Sequence, residues 1–209
     1  MGAVAAVPEP SSRVRRRHDE VRETVRDAML ELIEQAPYND LTVDEIARAA
    51  GLSRSAFYFY FRDKQDLLVA AAATLTDDLY REAERWWLGE GEPRERVRAA
   101  VGGVVSIMDR HAGLFRVATE VSTYDAAVGS FWRAVISRFV DATAEHLRRE
   151  QVEGRVRASL DPDATAEALV WGVERSLYVF LGGERRRPPE ELVDTLTAIW
   201  LGALYLEEA

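Results

Sequence analysis

Residues 41–68 read LTVDEIARAAGLSRSAFYFYFRDKQDLL, and they decide the architecture. Thr42 with Glu45 three residues later has the spacing of a capping box, so a helix starts there. It runs through Ile46 and Ala47 and breaks at Gly51, whose missing Cβ gives the backbone freedom for a sharp turn. Ser53 can cap a short helix that continues to Tyr60. Ala47 and Ala50 are small where two crossed helices must approach, and Leu52 can fill the space beneath the turn. Helix, Gly-Leu-Ser turn, helix is the geometry of a helix-turn-helix. Its second helix sets Arg54, Ser55, Tyr58 and Tyr60 among the apolar Ala56, Phe57, Phe59 and Phe61. Such a helix can bury one side and offer the other to a major groove.

Upstream, Val21, Val25, Ala28, Met29, Leu32 and Ile33 repeat at helical spacing over Asp19–Ala36, and Pro37 ends the segment. Residues 1–12 are small, Pro-containing and aperiodic. With the basic run Arg13–Arg17 they are expected to form a disordered tail over 1–18. That run could touch DNA backbone or minor groove, or could simply keep the tail solvated. Downstream, Asp63 and Asp66 open a long helix to about Trp87, with Leu68, Leu75, Leu79 and Trp86 on one line. Glu90-Gly91-Glu92-Pro93 is a break. Five more helical segments follow, at roughly 93–110, 112–122, 125–151, 162–182 and 188–207. No sustained alternation of β-branched residues suggests a strand. The expected fold is all-α.

The chain has 209 residues, a net charge of −9 and no cysteine. The absence of cysteine excludes disulfides, thiolate metal sites and cysteine nucleophiles, and it fits a cytoplasmic protein. The three histidines, His18, His111 and His146, are far apart, so no metal site and no metal or other cofactor is expected. No apolar run is long enough to span a membrane, and the start at Met1 resembles no signal peptide. No Ser/His/Asp set, phosphate loop or dinucleotide fingerprint is visible, so no catalytic residue is expected and an enzyme is disfavoured. The acidic excess argues against nucleic-acid binding by the whole chain. It is not evenly spread. Residues 1–64 carry ten basic and eleven acidic residues, whereas 65–209 carry seventeen and twenty-five. Only the N-terminal third can approach a phosphate backbone without strong repulsion.

The 28 residues from Leu41 to Leu68 resemble, from end to end, the DNA-binding signature of the TetR family of bacterial regulators, with an AcrR-type head. The ending Tyr58-Phe59-Tyr60-Phe61 followed by Lys64 is especially characteristic. In the C-terminal part, Trp132, Glu174-Arg175 and Trp200-Leu201 look most like the subgroup of the ethionamide-resistance regulator. The resemblance implies a nine-helix fold, with a three-helix head over 19–64 and a ligand-binding and dimerisation body over 65–209. It implies phosphate contacts by Thr42, Ser53, Tyr58, Tyr60 and Lys64, donors at helix starts or on the outer side. Base edges would be read by Arg54, Ser55 and Ala56. A core role for Tyr58 and a solvated role for Lys64 and Arg62 are the alternatives. On this reading Lys64→Ala weakens binding to all sequences alike and flattens its salt dependence.

The implied partners are double-stranded DNA with a palindromic operator, a small hydrophobic effector and a second copy of the chain, with no membrane. The eighth and ninth helices are apolar on more than one side, which points to cover by a second subunit. Expected dimer residues are Leu169, Leu177, Leu181, Leu192, Leu196, Ile199 and Leu204. Expected pocket residues are Trp86, Met108, Phe115, Trp132, Phe139, Thr143, Val173, Ser176, Tyr178 and Trp200, any of which could instead be ordinary core. Val170 and Val173 stand where the subgroup tends to carry amides. The functional expectation is a ligand-responsive transcriptional regulator, most simply a repressor. The alternative is an architectural or effector-independent DNA-binding protein.

Overall fold

The computed structural model describes residues 12–182 and 188–205. The stretch 1–11, expected to be part of the tail, lies outside the described residues, as does the run Arg185-Arg186-Arg187, whose basic composition suggests a solvated loop. Among the described residues there are nine α-helices, one short 3-10 turn and no strand. The helices are α1 (Ser12–Ile33), α2 (Val43–Ala49), α3 (Arg54–Tyr60), α4 (Lys64–Trp87), α5 (Pro93–Arg110), α6 (Ala112–Val121), α7 (Ala126–Val152), α8 (Pro162–Gly182) and α9 (Pro189–Leu204). The all-α expectation and every helix were legible from periodicity and caps. The boundary of α1 was not. It begins at Ser12, so the described part of the basic run is helical rather than a disordered tail. The 3-10 turn Tyr38–Asp40 was also not foreseen.

Contacts divide the chain into two compact units, Met1–Leu68 and Val69–Ala209. In the first, α1 supplies Val25, Met29 and Ile33 to a core completed by Ile46, Phe57, Phe61 and Leu67. Arg22 of α1 donates to the carbonyl of Tyr60 and lies 4.2 Å over the Phe61 ring, so one cation satisfies and screens the C-terminal end of α3. Gly51, at φ +69°, makes the turn between α2 and α3 in a conformation that disfavours other residues.

The second unit is a bundle in which α5 packs along α9 and α7 along α8. Two of its helices start on short-range side-chain caps: for α7, Asp125 accepts from the Ala127 and Val128 amides, and for α8, Asp161 accepts from that of Ala164. His111 forms the junction between α5 and α6 as the C-cap of the former. A polar knot sits inside this bundle. Glu150, 1% exposed, accepts from Arg96 at 3.2 Å, from Arg155 at 2.7 Å and from the Tyr205 hydroxyl at 3.4 Å. Arg96 also donates to the Trp86 carbonyl, and Tyr205 receives the Trp86 indole N–H. His146 hydrogen-bonds the Trp87 carbonyl through Nδ1 and turns Nε2 toward Glu150 at 3.9 Å.

Candidate functional site

In the first unit, α2 begins on a complete capping box. The Glu45 amide donates to Thr42 Oγ1, and the Thr42 amide donates to Glu45. The hydrogen bonds from Thr42, with Arg48 nearby, hold the Glu45 carboxyl below its usual range. Ser53 accepts from the Ala56 amide and so fixes the start of α3. Phe57 is fully buried, and Phe61 just beyond the helix almost so. Arg54, Ser55 and Tyr58 are exposed on the other side, with Ala56 and Tyr60 half-buried. Arg54 is held by Asp44 of α2 at 3.0 Å and lies 5.8 Å from the Tyr58 ring centre. A guanidinium positioned this way presents its fork at the N-terminal end of a short exposed helix. The same region carries the exposed hydroxyls of Thr42 and Ser53 and the tyrosine ring of Tyr58. That is a surface suited to phosphates and base edges. Arg15, Arg16 and Arg17 add an exposed basic segment on α1.

Two expectations change here. Phe59 is not core; it is 75% exposed, because α3 is too short to bury both Phe57 and a residue two positions later on the opposite side. Lys64 is not a free cation. Its ammonium donates to the carbonyls of Tyr38, Asn39 and Leu41 at 3.0, 3.2 and 3.0 Å and sits 4.7 Å over the Tyr38 ring. In return, the Tyr38 hydroxyl donates to the Lys64 carbonyl. Burial pushes the Lys64 pKa down. All three donors are committed to the 3-10 turn, so a phosphate would compete with three carbonyls. The signal that sequence reading lacked was this turn, whose carbonyls have no other helix to point into. Lys64→Met is accordingly expected to destabilise the head by about 1–3 kcal/mol, read as a lower urea midpoint for its helical signal. An unchanged midpoint would mean that the three bonds are replaceable by water.

In the second unit a largely apolar cavity of about 110 Å³ opens among α4, α5, α6, α7, α8 and α9. Eight of the ten expected pocket residues line it: Trp86, Met108, Phe115, Trp132, Phe139, Thr143, Val173 and Trp200. Ser176 and Tyr178 do not. The α8 residues that face the cavity are Val170, Val173, Glu174 and Leu177, a single stripe, and Ser176 and Tyr178 lie roughly a quarter turn to either side of it. Tyr178 instead lies beside Arg175 and reaches Glu120 at 3.5 Å. The residue that sequence reading noted but did not place in the pocket is Glu174. Its position three or four residues from Val170 and Leu177 was the available signal. It is 5% exposed, and burial pushes its carboxyl pKa up.

The expected dimer residues separate by burial. Leu169, Leu177, Leu196 and Leu204 are buried within this one chain, Leu177 on the cavity stripe itself, so they offer no surface to a second copy. Leu181 and Leu192 are half-buried, and Ile199 is 53% exposed. The outward face of α8 is a different stripe, with Ala168, Trp171, Gly172 and Val179, opposite the cavity stripe. Counting apolar residues around the helix could not tell which side its own chain covers.

A helix-turn-helix with an exposed, arginine-bearing second helix, in a chain whose other unit is a helical bundle around an apolar cavity, defines a DNA-binding regulator. Residues 97–206 match the sequence family described as the C-terminal domain of the transcriptional regulator EthR, and residues 25–71 match the bacterial regulatory proteins of the tetR family. The chain is 28% identical over 180 residues to the HTH-type transcriptional regulator EthR of Mycolicibacterium smegmatis, covering 83% of this chain and 81% of that protein. It is 31% identical over 158 residues to the transcriptional regulator AcuR of Cereibacter sphaeroides, covering 72% and 71%. Its fold is similar to that of SmeT, the repressor of the Stenotrophomonas maltophilia multidrug efflux pump SmeDEF, with a TM-score of 0.73 at 20% identity over 90% of this chain and 91% of that one. The chain belongs to the TetR family of transcriptional regulators, with a C-terminal domain of the EthR type. It is a DNA-binding regulator and not an enzyme. Among the described residues no helix is long and apolar enough to cross a membrane.

Proposed function

We propose that this protein is a ligand-responsive repressor that binds a palindromic operator as a homodimer in the cytoplasm and leaves it when a small molecule enters the body. The observation that carries the ligand response is the apolar cavity, which a bundle of this size would ordinarily fill with side chains. Cavities of this kind, apolar with a few polar groups, suit small apolar molecules. The dimer reading rests on the outward apolar residues Trp171, Val179 and Ile199 of α8 and α9. The DNA contacts are assigned to Thr42, Ser53, Tyr58 and Tyr60 for phosphates and to Arg54, Ser55 and Ala56 for bases. Lys64 holds the turn that precedes α2. A ligand that wedges against Trp86 pushes on α4, the same continuous helix whose first residue is Lys64. DNA and ligand then favour different conformations, and each weakens the other's binding.

Selection of bound duplexes from a random-sequence library tests the reading, followed by a mobility shift on the selected site with and without extracted cell metabolites. The expected result is a two-fold symmetric site and release by the extract. Tight binding that no extract relieves would favour an architectural protein without an effector.

A further inference from the structure

We propose that the body cavity takes an organic cation, an amine-bearing molecule whose apolar part fills the cavity and whose ammonium group pairs with Glu174. This deepens the reading of the cavity as an effector site and rests on it.

Glu174 is the only charged residue among the described residues that line the cavity; the other polar side chains there are those of Thr76 and Thr143 and the indoles. No lysine, arginine or histidine joins them, so an anionic ligand would meet a carboxylate with no compensating charge. Neither oxygen of Glu174 has a well-formed hydrogen bond, and neither does the buried Trp132 indole nitrogen; the charge of Arg175, and then the Trp132 N–H approaching as a donor, pull the Glu174 pKa back down against burial. The nearest cation is Arg175, the adjacent residue. Its guanidinium stands 3.7 Å from Oε2, beyond hydrogen-bonding distance, and is more than half exposed. A buried acidic group in this state is costly to the empty protein. Selection for stability alone would place a leucine or a glutamine at this point of the α8 stripe.

What the group can do is hold a donor. An ammonium N–H brought into the cavity supplies the missing hydrogen bond and a closer opposite charge than the largely exposed Arg175 gives. The remaining walls are favourable to the same guest. Trp86, Phe115, Trp132, Phe139 and Trp200 offer aromatic faces, which attract cations and pack against hydrocarbon. A cavity of about 110 Å³ is suited to a ring or a short chain, not to a long acyl tail.

The test uses the full-length protein and three probes of equal chain length, n-hexylammonium, 1-hexanol and hexanoate, at neutral pH. Binding is read from quenching of the indole fluorescence and from the thermal shift. For the wild type, the ammonium is expected to bind at least about tenfold more tightly than the alcohol, and hexanoate more weakly than either. In Glu174→Gln the preference of ammonium over alcohol should collapse to within about twofold, while the alcohol still binds. The same variant is expected to melt at a higher temperature than the wild type without ligand, because an unsatisfied acid has been removed. The wild-type comparison needs no variant to fold. Equal binding of ammonium and alcohol, or tighter binding of hexanoate, overturns the cation assignment and leaves the effector site standing. Failure of all three probes to bind overturns the effector site, and the cation assignment with it. An unchanged ammonium preference in Glu174→Gln places the cation elsewhere in the cavity and refutes the role of Glu174.

Discussion

Glu150→Ala is expected to destabilise the body by about 3–5 kcal/mol, enough to leave a typical domain close to unfolding. The reason lies in what stays behind. Arg96 is buried and keeps only the Trp86 carbonyl at 3.3 Å and the Gly89 carbonyl at 3.4 Å once the carboxylate is gone. A guanidinium left in the bundle with long hydrogen bonds and no counter-charge carries an uncompensated desolvation cost. Tyr205 loses an acceptor as well, and the Trp86 indole that donates to its hydroxyl loses a fixed partner. Glu150→Gln should cost less, because an amide oxygen can still accept from Arg96 and Arg155. Urea titration followed by circular dichroism gives both values. A loss below about 1 kcal/mol for the alanine variant would show that water reaches Arg96 and replaces the carboxylate.

The same knot makes the body sensitive to acid. Burial pushes the His146 pKa down to about 4 from an ordinary 6.5, with Arg96 and Arg149 adding to the effect against the pull of Glu150 and the Trp87 carbonyl. Between those two values the unfolded chain holds a proton that the folded chain does not. Stability therefore rises with pH across this window and falls on acidification from about 6.5 toward 4, by up to about 3 kcal/mol. Glu150 acts in the same direction. Desolvation works to raise its pKa, but the hydrogen bond from Arg155 and the nearby His146 and Arg96 hold it below its usual value. Its contribution is present above the unfolded pKa and is lost as pH falls through the folded one. A melting temperature that stays flat from pH 7 to 5 would mean that His146 takes up its proton inside the fold.

The head was legible in the sequence because its signals are local. Capping box, glycine turn and second cap lie within a dozen residues, and each backbone group they satisfy is a near neighbour in the chain. The two misreadings in the head are not local. Lys64 is reached by carbonyls 23 to 26 residues earlier, and no pattern around Lys64 announces them. Phe59 follows the same apolar alternation as Phe57 and Phe61, but a seven-residue helix has one buried side only. In the body, helical spacing placed Trp86, Phe115, Trp132, Phe139 and Trp200 on stripes that line the cavity, but not Tyr178, which lies off the α8 stripe. It could not separate the two apolar sides of α8. One lines the cavity with Val170, Val173 and Leu177, and the other turns Trp171 and Val179 outward. Which side is which depends on where α7 and α9 pack, a fact of tertiary structure. The buried Glu150 was equally hidden, because its partners come from α5, from the loop after α7 and from beyond α9.

In the proposed homodimer, Ile199→Glu is expected to break the pair into monomers and to weaken operator binding by roughly 10²–10⁴-fold, the usual contribution of a second linked binding unit. Ile199 is exposed on α9 beside Ala198 and Gly202, and Trp171 and Val179 are exposed on α8. In a two-fold contact over this face each new carboxylate is introduced twice and is pressed against the apolar Trp171 and Val179; the exposed Arg175 on the same α8 face is the one nearby cation among the described residues of that stripe. The folded monomer should lose little stability, since the side chain that is replaced already stands more than half in solvent. That separates this variant from Leu196→Glu and Leu204→Glu. Those positions are buried in the chain's own core, so a charge there unfolds the body and reports nothing about assembly. Sedimentation at micromolar concentration, a melting curve and a titration of the selected duplex give the three readings needed. A variant that remains dimeric with undiminished operator affinity would put the interface on another face of the body. A variant that is monomeric yet binds the duplex as tightly as the wild type would show that one head suffices, and the palindromic operator would go with it.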